Sequence, residues 1–184
     1  MPNDFPDASE RLDPDKPPSD TSVVLVDIST VAETIRKTRM RLAAPAEKAI
    51  RELVEQLLEH TALLMHQNLG PDDDGLKALR ERAEECSTTR LPDLVDREAR
   101  AAAWKQVQHV ANVTEELLAR WCQVDTSEGD YELRTEDDED GYYVWDIASR
   151  SRASLRNLRG SRPTTHMPLE AAWQLTRRLN EKAR

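Results

Sequence analysis

Arg152, Arg156 and Arg159 recur at three- and four-residue steps, flanked by Arg150 and Arg162 and, further on, by Arg177 and Arg178. On a helix this spacing sets guanidinium groups about one turn apart, where they can follow a row of phosphates or pair with carboxylates. Just upstream, Tyr142, Tyr143 and Trp145 make a sudden aromatic patch. Their rings suit stacking on bases or anchoring the segment on a helical body. Those three aromatics and Arg152, Arg156, Arg159, Arg177 and Arg178 are the candidate partner-binding residues. Three readings stay open for them: pairing with the acidic block that precedes them, a protein partner, or a nucleic acid. The formal net charge of −9 weighs against non-specific nucleic-acid binding.

Other reactive side chains do not converge. His60 and His66 lie six residues apart, about 600° of helical rotation, so one ion cannot reach both. Glu52, Glu59 and His66 align at seven-residue steps, but each is ~10 Å from the next, too far for one metal. Cys86 and Cys122 show no CxxC spacing and read as buried free thiols of a reducing, cytoplasmic protein. Asp137, Asp138 and Asp140 imitate part of a calcium loop without its glycine or closing glutamate. No phosphate loop, GxSxG elbow or HExxH is present. The sequence therefore points to no catalytic, cofactor-binding or metal-binding residue. An enzyme with a pocket between helices, using His60 or His109, stands as a third possibility to be tested by geometry.

The elements that must position these groups are mostly helical. The chain has 184 residues, 38% hydrophobic, 33% charged and only 4% aromatic, with five glycines. That composition suits aliphatic helix packing and not a fold with many tight turns. Thr30 and Glu33 form a capping box that opens a first helix. From Ala46 to Leu69, residues Ile50, Leu53, Val54, Leu57, Leu58 and Thr61 fall on one helical face, and Gly70-Pro71 stops the run. Asp72, Asp73 and Asp74 suit the positive end of a third helix bearing Leu76, Leu79, Ala83 and Cys86. A fourth helix is expected from Pro92 to Val124, ~48 Å long, and apolar surface around Trp104 and Trp121 is left for self-association. Short connections make neighbours antiparallel.

The ends differ in kind. Residues 1–22, rich in proline and acid, read as a disordered tail, and Val23 to Val26 as an extended segment. Residues 125–146 carry one basic and ten acidic groups, whereas 147–184 carry nine and two. The stretch from Asp125 to Asp140 reads as a solvated loop, Ile147 to Arg159 as a basic amphipathic helix, and Pro168 as the start of a last helix. The expected organisation is a tail (1–22), a helical bundle (23–124), an acidic linker with an aromatic patch (125–146) and a basic helical tail (147–184). No leader or membrane-spanning run is visible.

From Asp27-Ile28-Ser29-Thr30-Val31 through His60-Thr61-Ala62-Leu63-Leu64, the chain resembles the N-terminal half of an uncharacterised family of small helical actinobacterial proteins associated with natural-product biosynthesis. The resemblance covers about a fifth of the chain and implies an accessory role without supplying site residues. The expectation is an all-α, up-and-down helical bundle acting as a non-enzymatic interaction protein through its C-terminal region. The alternative is a nucleic-acid-binding regulator using the Arg-rich segment.

Overall fold

The computed structural model describes residues 26–39, 44–88, 90–136, 141–157 and 160–184, and for 155–157 and 160–163 the backbone alone. The tail at 1–22, and Val23 to Leu25, lie outside the described residues.

Helix α1 (Ile28–Arg39) is capped by Asp27, not by the Thr30–Glu33 box. The Asp27 carboxylate accepts the Thr30 amide at 3.2 Å and the Thr30 hydroxyl at 2.6 Å, so the threonine donates where it was expected to accept. Helix α2 (Glu47–Met65) buries Ile50, Leu53, Leu57, Thr61 and Leu64 in one stripe, as the periodicity requires. Gly70 turns the chain at φ +85°, and a Cβ there would meet Val124 Cγ2 at 3.0 Å. Helix α3 (Asp74–Thr88) starts where Asp73 accepts the Leu76 amide at 2.7 Å. Helix α4 (Arg97–Asp125) begins five residues later than Pro92 suggested, because the Asp96 carboxylate takes the Ala99 amide at 2.7 Å and fixes the first turn there.

Helix α4 is the axis of the bundle. It packs against α1, α2, α3 and the last helix, α5 (Leu169–Ala183), and its buried residues occupy more than one face. Thr61 meets Thr114, and the Leu69 carbonyl meets Arg120, so α2 and α4 run in the same direction. Arg82 pairs with Glu116 and Asp73 with Arg120, so α3 runs against α4. This alternation is the up-and-down arrangement in that part of the bundle. At the α2–α4 contact, Thr61 and Thr114 each donate to the carbonyl four residues earlier while their oxygens lie 2.8 Å apart. Of the two tryptophans expected to leave apolar surface, Trp104 is buried (5% exposed), and Trp121 is half-buried and meets Trp173 of α5 at 6.3 Å.

The fold is mostly helical but not all-α. Strands β1 (Tyr131–Thr135), β2 (Tyr142–Asp146) and β3 (Ser151–Arg152) form an antiparallel sheet in that order, and β4 (Ser154–Asn157) pairs with β5 (Gly160–Pro163). The presumed acidic loop thus contains β1, whose residues pair with β2 from Tyr131↔Asp146 to Thr135↔Tyr142. Of the presumed basic helix from Ile147 to Arg159, the described part, 147–157, is a turn followed by strands. Its backbone partners lie elsewhere in the chain: the Ala153 amide donates to Val144 at 2.8 Å, and the Ala153 carbonyl accepts Thr164 at 2.9 Å. Arg150, at φ +51°, breaks any helical path. Helix α5 packs on β1 and β2 and joins the sheet to the bundle.

Candidate functional site

Period-two alternation divides the sheet. Leu133 and Val144 sit opposite each other and are buried, and Tyr142 and Thr135 share their face. The other face carries Glu132, Arg134, Tyr143, Trp145 and Arg152. Arg134 lies over the Trp145 ring at 4.5 Å and Arg152 over Tyr143 at 4.4 Å, while Tyr143 and Trp145 meet edge to face at 6.4 Å. Each cation also has a carboxylate. Arg134 bonds Glu132 at 2.7 Å, and Arg152 grips both oxygens of Glu136 at 3.1 and 2.7 Å. Glu136, 5% exposed, accepts the His166 amide as well, at 2.9 Å. This node ties the end of β1 to β3 and to the chain approaching α5.

Of the sequence-predicted residues, Tyr143, Trp145 and Arg152 come together on this face. Tyr142 does not: it lies on the inner face, packed against the core. Burial pushes its hydroxyl well above the usual phenol range, reinforced by the Glu115 carboxylate. Arg177 rests on α5 over Trp173 at 5.2 Å, and Trp173 donates to Asp125 at 2.9 Å, so this cation belongs to the bundle seam. Arg178 is exposed on the same helix. Arg156 is placed by its backbone in β4, and Arg159 lies outside the described residues. Sequence reasoning missed Glu132, Arg134 and Glu136. The alternation Glu132-Leu133-Arg134 was their signal, hidden inside a charge run.

The hairpin β4–β5 stands apart: among the described residues neither strand packs substantially on any element but the other. Between Asp146 and Glu170 the chain has five arginines and no acidic residue. A basic projection thus adjoins a face whose own charges are internally matched.

Two concavities lie elsewhere. A groove of about 1410 Å³ crosses α1, α3, α4 and α5. Its charges pair among themselves: Arg39 with Glu115, Arg82 with Glu116, and Arg120 with Asp73 at 2.5 Å. Burial raises the Glu115 carboxyl above its usual range, and Arg39 opposes the shift. A smaller cleft between α1 and α2 holds His60 beside Glu59 and Glu33, while His109 is exposed. His60 Nε2 lies 3.3 Å from the Thr34 hydroxyl, which donates its own proton to the Thr30 carbonyl. With the hydroxyl proton so directed, the tautomer protonated at Nε2 completes the contact by donating. Burial lowers the imidazole below its ordinary range. Among the described residues the ring's hydrogen bond is to a threonine, and not to a carboxylate of the kind that orients a general base. Cys86 and Cys122 are buried free thiols pushed upward by desolvation, the wrong direction for nucleophiles. Among the described residues no group of three His, Cys, Asp or Glu side chains could hold a metal, and no helix is long and apolar enough to cross a membrane.

Comparison of the chain with protein-family models, with curated proteins and with solved structures finds no match.

Proposed function

We propose that this protein is a non-enzymatic interaction or accessory protein that binds another protein through its C-terminal region, chiefly through the β4–β5 projection and the adjoining sheet face. The observation that carries this reading is the hairpin itself. Among the described residues the ribbon packs substantially on no other element, and a two-stranded ribbon is marginal in water and gains stability when something covers it. A run of five arginines without an acidic residue selects a partner with negative surface.

A cytoplasmic location and an accessory role in a biosynthetic pathway accord with this reading. Replacing residues 154–163 by a two-residue turn leaves the bundle and the sheet to hold the fold. Affinity capture with the full chain and with this variant then compares what each retains from a host extract. Loss of the captured proteins is the expected result, and unchanged capture would defeat the assignment.

The second reading, a nucleic-acid-binding regulator, draws on the same arginines. It is weakened by the sheet face, where Arg134 and Arg152 already cover the Trp145 and Tyr143 rings that would stack on bases. A salt titration with DNA and RNA separates the two readings. Tight binding that falls steeply with salt would favour the regulator.

A further inference from the structure

The groove across α1, α3, α4 and α5 lies away from the β4–β5 projection, and its chemistry is of another kind. Its volume, about 1410 Å³, is ample beside the ~300–1,000 Å³ of common small-molecule sites. The floor is aliphatic, with Ile35 of α1, Leu76 and Leu79 of α3, Leu118 of α4 and Leu169 of α5. Above it, every guanidinium among the described residues of the wall is already paired. Arg39, Arg82 and Arg120 hold Glu115, Glu116 and Asp73, and Arg36 holds Glu33. Glu170 has no cation among the described residues. It lies in the first turn of α5, where the positive helix end compensates it, and it accepts the Ser29 hydroxyl at 2.6 Å. A charged guest therefore finds no counterion waiting for it.

One polar group is left over. Tyr142 packs its ring against the core and lines the groove. Burial is the main influence on its hydroxyl, followed by the charges of Glu115 and Arg39, both groove residues, so the hydroxyl stands on the groove side. The same burial keeps the phenol protonated well above neutral pH, which makes it a donor. Glu115, whose side chain is 19% exposed, is engaged by Arg39, and among the described residues the Tyr142 hydroxyl has no hydrogen-bond partner. A shielded donor without an acceptor is unfavourable, and a guest that brings one removes the penalty.

We propose that this groove binds an uncharged, largely apolar small molecule whose hydrogen-bond-accepting oxygen is received by the Tyr142 hydroxyl. The floor supplies non-directional affinity through apolar area withdrawn from water. The tyrosine fixes which end of the guest goes where. The matched pairs along the wall act against charged relatives, since each would bury an unanswered charge or break a pair. This inference stands independently of the partner-binding reading, because the groove is built from other residues.

The probe is 6-propionyl-2-(dimethylamino)naphthalene, a neutral fluorophore with an apolar body and one ketone oxygen, titrated with the full chain. Saturable binding with blue-shifted emission is expected. Its 6-propyl analogue keeps the carbon skeleton and lacks the oxygen. Tyr142→Phe should weaken the ketone about fivefold and leave the propyl analogue within about twofold. Ala32→Trp, on the half-buried α1 wall of the groove, should abolish binding of both with circular dichroism unchanged. 1-Decanol should displace the fluorophore at lower concentration than decanoate or decylammonium. No saturable binding, or the same response of both fluorophores to Tyr142→Phe, overturns the proposal; the latter would mean that water alone satisfies the hydroxyl. Binding that persists in Ala32→Trp also overturns it, by placing the fluorophore elsewhere. So does displacement led by either charged amphiphile, which would show that the ion pairs open to admit a counterion.

Discussion

The helical body from Ile28 to Asp125 and the sheet from Tyr131 to Pro163 are held by different physics. In the body, α4 buries aliphatic side chains against α1, α2 and α3, and stability is spread over many residues that each contribute a little. In the sheet, the buried apolar side chains among the described residues are few (Leu133, Val144 and Ala153), and a handful of polar nodes carries the order. Glu136 gathers Arg152 and the His166 amide. Asn180 of α5 takes both backbone groups of Tyr131, accepting its N–H at 2.9 Å and donating to its carbonyl at 3.0 Å. Damage to a distributed core lowers the stability of everything, whereas damage to a node should loosen only what it ties.

The sharpest way to break this contrast is Leu57→Ala. Leu57 is 0% exposed, and the cavity should cost about 3 kcal/mol of global stability. Urea unfolding followed by helical and aromatic signals should shift together. Arg152→Ala comes next: it strips the partner from the buried Glu136 carboxylate at a cost of about 2 kcal/mol. Here hydrogen exchange should accelerate at the Val144 and Ala153 amides while α2 and α4 stay protected. A uniform acceleration would erase the distinction between regions. Gly129→Ala is smaller, about 1 kcal/mol. Its Cβ would stand 2.0 Å from Asn180 Cγ, so the amide must leave Tyr131. Exchange at Tyr131 should report this, and Asn180→Ala should reproduce it.

The least effect is expected from pH. The folded state lowers His60, so it favours the neutral ring. That stability is whole above the unfolded value of about 6.5 and is lost as pH falls through the lower folded value. Glu115 acts in the opposite sense. Its raised carboxyl makes the folded state bind the proton more tightly, so stability declines as pH rises from the unfolded carboxyl value through the folded one. Comparing His60→Gln with wild type between pH 7 and 5 isolates the imidazole, and the variant should show the shallower loss on acidification. Parallel curves would remove His60 from the account.

The same contrast explains what could be read from residues alone. Ile50, Leu53, Leu57 and Leu64 announce α2 because one dry face imposes a 3.6-residue rhythm over many turns. Strands of two to five residues impose no such length of pattern. In Ser151 to Asn157 the local preferences even favour the wrong answer. Ala, Leu and Arg are good helix formers, and the pairing partners that override them lie at Val144 and beyond Gly160. The candidate surface was legible in its members Tyr143, Trp145 and Arg152 but not in its geometry. The displacement of Tyr142 to the inner face follows from a two-residue period once β2 is known. Arg134 and Glu136 acquire meaning through contacts made 11 to 30 positions away.

The pair Thr61 and Thr114 has one last implication. Three contacts around the two hydroxyls share only two protons, so one is always a close approach without a donor. Evolution could have filled this spot with two valines and a drier seam. A sliding of α2 along α4 by one turn would strand both hydroxyls among aliphatic neighbours, while the same slip between valines would go almost unpunished. The threonines thus act as an alignment key that trades a little cohesion for a single permitted docking of two parallel rods.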